Sequence, residues 1–112
     1  MIDIGKSQQK KGRSGELELV KVLNDHGFNV RPGRSLSYGS EPDITGLSGV
    51  HVECKRCEKI RLSEWMAQAV RDAVKFNDGM PVLFFRRNRE PWLVTLRMTD
   101  FLDLYQAWKA DD

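Results

Sequence analysis

Pro42-Asp43 is followed ten residues later by Glu53-Cys54-Lys55. If the two segments are neighbouring strands, Asp43 and Glu53 converge at one end of a hairpin, and the period of two puts Lys55 on the face of Glu53. Two carboxylates brought together repel, which favours a divalent cation between them. Oxygen ligands suit Mg²⁺ or Mn²⁺ rather than Zn²⁺. A lysine beside such an ion would stabilise a developing hydroxide or the extra charge on a phosphorane-like transition state. A solvated strand face laced with Glu-Lys pairs gives the same spacing without chemistry. Glu16 is a third acid out of place. On a helical wheel it lies between Leu19, Val20 and Leu23, in the middle of the core-facing stripe, and burying a carboxylate there is costly unless something meets its charge. A first-turn glutamate favoured by the helix dipole is the plain alternative. Cys54 and Cys57 have the C-x-x-C spacing with His51 nearby, but a structural zinc site needs four ligands and only the distant His26 remains. Cys54 falls on the apolar face of a strand and reads as a small core residue.

These groups need a frame. A first helix is expected from about Ser14 to before Gly27, with Leu19, Val20 and Leu23 on one stripe, Leu17 and Val22 at its flanks, and Glu18 pointing away. Gly27 supplies a left-handed cap with Phe28 folding back onto the last turn. Phe28 to Arg31 reads as a strand, and Pro32 to Glu41, rich in Gly, Ser and Pro, as a loop. Asp43 to Thr45 and Val50 to Arg56 read as a hairpin in which Val50, Val52 and Cys54 alternate with His51, Glu53 and Lys55. About Leu62 or Ser63 to Phe76 reads as an amphipathic helix with an apolar stripe of Leu62, Trp65, Met66, Ala69, Val70 and Ala73, stopped by Asn77-Asp78-Gly79. Met80 to Phe85 and Trp92 to Leu96 read as paired strands, and Thr99 can cap a final helix. Trp65, Trp92 and Trp108 lie in apolar patterns and read as core or dimer contacts rather than stacking platforms. The order α-β-β-β-α-β-β-α describes a mixed α/β domain.

The 112 residues fit one domain, 1–112, with a basic N-terminal arm at about 1–13. With 40% hydrophobic and 30% charged residues the chain can bury a core and is not a disordered tail. No apolar run approaches the roughly 18 residues of a membrane span, and Met1 to Gly5 lacks a signal-peptide pattern, so a cytoplasmic protein with no membrane partner is expected. Two cysteines exclude a disulfide framework. The net charge of +2 is too mild to identify a nucleic-acid binder, but its placement is uneven. Lys6, Lys10, Lys11 and Arg13 precede the first helix without an acid, Lys55, Arg56, Lys59 and Arg61 follow the candidate site, and Arg86, Arg87 and Arg89 cluster at a turn. Each alone is an ordinary solvated surface, but together they fit a surface that reads a phosphate backbone.

The run Lys11-Gly12-Arg13-Ser14-Gly15-Glu16, the Gly27-Phe28 stop, the Ser-rich loop, Pro42-Asp43-Ile44 and Glu53-Cys54-Lys55 occur in one order. That order resembles the archaeal-type Holliday junction resolvases of the PD-(D/E)xK nuclease superfamily, over roughly Lys10 to Leu96. The resemblance implies a restriction-endonuclease-like core, a central mixed β-sheet flanked by helices. It implies that Glu16, Asp43 and Glu53, with the backbone carbonyl of Cys54, hold Mg²⁺ (Mn²⁺ substituting), that Lys55 is catalytic and that Gln68 stands beside the site. Ser35, Ser37 and Ser40 are candidate loop serines, and Arg31 and Arg34 join Lys6, Lys10, Lys11, Arg13, Arg56, Lys59 and Arg61 as candidate DNA contacts. Relatives carry Arg after the helix glutamate where this chain has Leu17, and Arg13 is the candidate replacement. The implied protein is a homodimeric, metal-dependent endonuclease acting on branched DNA such as four-way junctions. Flaps, duplex or single strands are alternative substrates, and a catalytically inactive DNA-binding module on the same fold is the alternative function.

Overall fold

The computed structural model of the protein describes residues 4–33 and 41–110, with side chains of the first helix described from Arg13 onward. Its elements are α1 (Ile4–Asp25), β1 (Arg31–Pro32), β2 (Ile44–Thr45), β3 (Val50–Arg56), α2 (Leu62–Phe76), β4 (Met80–Arg86), β5 (Leu93–Leu96) and α3 (Met98–Ala110). Their order is the expected one. The strands form one sheet in the sequence β1-β2-β3-β4-β5. Neighbours are antiparallel except β3 and β4, which run parallel with Glu53 opposite Leu83. A parallel pair needs a crossover, and α2 supplies it. The result is a mixed α/β sheet with flanking helices, consistent with a restriction-endonuclease-like core.

Two apolar clusters sandwich β3 and β4. Leu19 of α1 packs with Val30, Ile44, Val52 and Cys54 on one face. Trp65 of α2 packs with Leu83 and Phe85 on the other, the Trp65 and Phe85 rings 6.2 Å apart. Because both faces are covered, β3 is buried continuously from His51 to Cys54, although only alternate residues are apolar. His51 and Glu53, on the polar face of β3, are therefore inside the molecule, which excludes the solvated-face alternative for them.

Several strand ends shift by one residue, and three boundaries differ from the sequence expectation in ways that have a physical reason. α1 begins at Ile4 rather than near Ser14, so the basic stretch up to Arg13 is the first half of a helix. β1 is Arg31–Pro32 rather than Phe28–Arg31. The Asn24 side chain accepts from the Val30 N–H (2.8 Å) and donates to the Val30 carbonyl (3.1 Å), taking the groups a strand would use. α3 starts at Met98, with the Phe101 N–H bonded to the Arg97 carbonyl, so Thr99 sits inside the first turn instead of capping it. The α1 stop agrees with expectation. Gly27 takes φ 96°, its N–H reaches Asn24 and the Phe28 N–H reaches back to Leu23, which closes the last turn as a Schellman motif.

Candidate active site

β3 carries the centre of the site. Glu53 is 3% exposed, and its Oε1 lies 3.9 Å from the Lys55 Nζ two residues on, as the period of two requires. Asp43 immediately precedes β2, whose Ile44 pairs with Val52. Its Oδ2 accepts the Cys54 backbone N–H at 3.1 Å, which ties it beside Glu53. Glu16 comes from α1, which packs on β3, and is half-buried with Arg13 3.7 Å away. The close approach of α1 depends on Gly15, where a Cβ would stand 2.5 Å from the Cβ of Arg56 on β3.

The electrostatics of these groups are shared. Burial raises the Asp43 pKa to about 7, the Glu53 charge and then the Glu16 charge add to it, and the Cys54 N–H and Lys55 offset part of the rise. Burial also lifts the Glu16 carboxyl above its ordinary range; Arg13 opposes the shift, Glu53 reinforces it, and Lys55 opposes it. Three acids distant in the chain thus feel one another's charge, with the Lys55 ammonium among them, but their ligand atoms do not close into one cluster: among the described residues the trio within 4.8 Å of one another is His51, Glu53 and Asp72. The three acids, hard oxygens with excess negative charge, fit a divalent cation.

The other expected residues fall in several places. Gln68 is half-buried on α2, one turn before Asp72, and makes no hydrogen bond to a described residue. Arg31, Lys59 and Arg61 are exposed, with Arg61 3.5 Å from Glu64. Arg56 is engaged by Glu18, Glu58 and Asn88. Lys6, Lys10, Lys11, Arg34, Ser35, Ser37 and Ser40 lie outside the described residues or side chains. Glu18, expected to point away, instead meets Arg56 and Arg86, so it faces the end of the sheet. Cys54 is buried in the α1-side core, where burial pushes its thiol well above the ordinary range, while Cys57 is exposed. Neither cysteine joins a cluster of potential metal ligands among the described residues.

His51 is what the sequence reading undervalued. It is 1% exposed, with Nδ1 2.9 Å from both carboxylate oxygens of Asp78 and Nε2 3.2 Å from the Glu53 Oε2. Its ring stacks on Phe76 of α2. Burial alone would lower its pKa; hydrogen bonds to Glu53 and Asp78 outweigh it and raise the value to about 9. The available signal was the alternation itself, which puts His51 on the face of Glu53.

No helix among the described residues is long and apolar enough to cross a membrane. Compared with known proteins, residues 7–111 match the model of a family described as phage putative PDDEXK endonuclease. No curated protein matches the chain.

Proposed function

The chain belongs to this phage family of PD-(D/E)xK endonucleases, and from that membership we propose that it is a Mg²⁺-dependent nuclease that hydrolyses phosphodiester bonds in branched DNA, four-way junctions first among them. The observation that carries the reading is the electrostatic coupling of Glu16, Asp43 and Glu53 beside Lys55, with Asp43 raised to about 7 by burial and by its neighbours' charges. Glu53 and Asp43, with Glu16 and the Cys54 carbonyl, would hold the cation. When bound, it supplies the Lewis acidity that polarises a phosphate and orients a water. The Cys54 N–H keeps the Asp43 carboxylate in place, and Lys55 puts a positive charge where a phosphate would gain negative charge. Gln68 stands on the helix bordering the site. Arg13, Arg31, Lys59 and Arg61 would track the phosphates, joined by Lys6, Lys10, Lys11, Arg34 and the loop serines Ser35, Ser37 and Ser40, with Arg56 steadied by Glu18.

A homodimer is part of the proposal, because symmetric cutting of a junction needs two such sites. Its support is α3, in which no residue is buried and Phe101, Leu104, Tyr105 and Trp108 are exposed. The test compares the wild-type chain with Asp43→Asn on a labelled four-way junction and on linear duplex, in Mg²⁺ and in EDTA. We expect Mg²⁺-dependent cleavage of the junction by the wild type alone. A wild-type protein that leaves every substrate intact refutes the nuclease reading. Equal cleavage of duplex and junction refutes the branched-DNA part.

A further inference from the structure

We propose that His51, Glu53 and Asp72 form a second cation subsite suited to a transition metal such as Mn²⁺, with Glu53 shared between it and the Asp43 side. The sharing rests on the nuclease reading of Glu53; the subsite itself stands on the geometry of the three side chains. Their potential ligand atoms lie within 4.8 Å of one another. The imidazole separates this cluster from an ordinary group of acids. Ligating histidines characteristically give their other ring nitrogen to a carboxylate, which fixes the ring. Asp78 does this for His51 through both oxygens at 2.9 Å, and Phe76 stacks against the ring. Nε2 is thereby aimed at the Glu53 Oε2, 3.2 Å away, and an ion bound there would take the place of the proton these two atoms share, which leaves to solvent on binding. Two donors about 2.1 Å from an octahedral ion and at right angles lie about 3 Å apart, so this pair already has the spacing of neighbouring ligands.

Asp72 comes from α2, half-buried and without a hydrogen bond or ion pair to any described residue. The two oxygens of Glu53 face different partners, Oε1 toward Lys55 and Oε2 toward His51. A carboxylate so placed can serve an ion on each side, the arrangement of two-metal sites. A ring nitrogen in the ligand set suits a first-row transition ion rather than Mg²⁺, and the two carboxylates make Mn²⁺ the transition ion that matches the rest of the set.

The test uses the full chain and Mn²⁺ alone, without DNA. Electron spin echo modulation of the bound Mn²⁺ should carry the coupling of a directly ligated imidazole nitrogen. The chain has two histidines, so His51→Gln should abolish the coupling and His26→Gln should leave it. By calorimetry, Asp72→Asn should weaken Mn²⁺ binding roughly tenfold or more and Mg²⁺ binding less. If His51→Gln does not fold, judged by circular dichroism, Asp72→Asn decides. No nitrogen coupling in the wild type, coupling that survives in His51→Gln, or unchanged Mn²⁺ affinity in Asp72→Asn overturns the subsite. Any of these would leave His51 as a hydrogen-bonded support for Glu53. Cleavage is not among these readouts, so an inert protein that ligates Mn²⁺ through His51 would refute the nuclease reading and leave the subsite standing.

Discussion

Asp43 and His51 titrate within one small volume, and both are raised in the folded chain, to about 7 and about 9. The sign of their effect on stability is the same. Between its ordinary value and its raised one, each group holds a proton in the folded state that the unfolded chain has released. The contribution of Asp43 is therefore complete below about pH 4 and lost as pH rises through about 7. That of His51 is complete below about pH 6.5 and lost through about 9. Urea unfolding in EDTA should give midpoints that fall steadily from pH 5 to pH 9. Asp43→Asn should flatten the lower part of the fall, because the amide oxygen can still accept the Cys54 N–H without titrating. A divalent cation competes with protons for these carboxylates, so added Mg²⁺ should stabilise the chain more at pH 8 than at pH 5.5. Midpoints that do not move with pH would mean that neither group is raised in the folded chain.

Among the elements, α1 has the most exacting fit, since it brings Glu16 to β3 across Gly15. A Cβ there has no room beside Arg56, a residue itself held by Glu18 and Asn88. Gly15→Ala should cost about 1–3 kcal/mol by overpacking, read as a lower unfolding midpoint, and should cut cleavage further than the stability loss explains, because the helix is displaced with Glu16 on it. β3 and α2 were legible to within a residue, since each has a clean period and α2 also has a stop signal at Asn77-Asp78-Gly79. The start of α1 was not. Residues 6–13 carry no apolar stripe, yet lysine and glutamine are good helix formers, and propensity extends the helix where periodicity is silent. The Asp43-Glu53-Lys55 part of the site could be read from alternation. The inward turn of Glu18 could not, because its arginines lie 38 and 68 residues further along the chain. Nor could the burial of His51 and Glu53, which follows from α2 crossing over a face that looks solvated when β3 is read alone.

For the molecule as a whole, α3 is the feature a single chain leaves unexplained. The helix buries none of its residues, and Phe101, Tyr105 and Trp108 form a row of rings 6.4 and 6.0 Å apart on its surface, with Trp108 67% exposed. Leu93 and Val94 of the edge strand β5 are exposed as well. Exposed apolar side chains in such numbers are the kind of surface that marks association sites. A second copy is the partner that the proposed chemistry needs, since one chain carries one set of Glu16, Asp43, Glu53 and Lys55. Sedimentation at micromolar concentration should give twice the chain mass. Phe101→Asp combined with Leu104→Asp should give single chains with an unchanged circular dichroism spectrum, because neither side chain contributes to either core cluster. Those single chains should still nick DNA at one strand while losing paired cuts across a junction. A wild-type chain that sediments as a monomer removes the homodimer and, with it, the symmetric cutting, while the carboxylate site on each chain stays as it is.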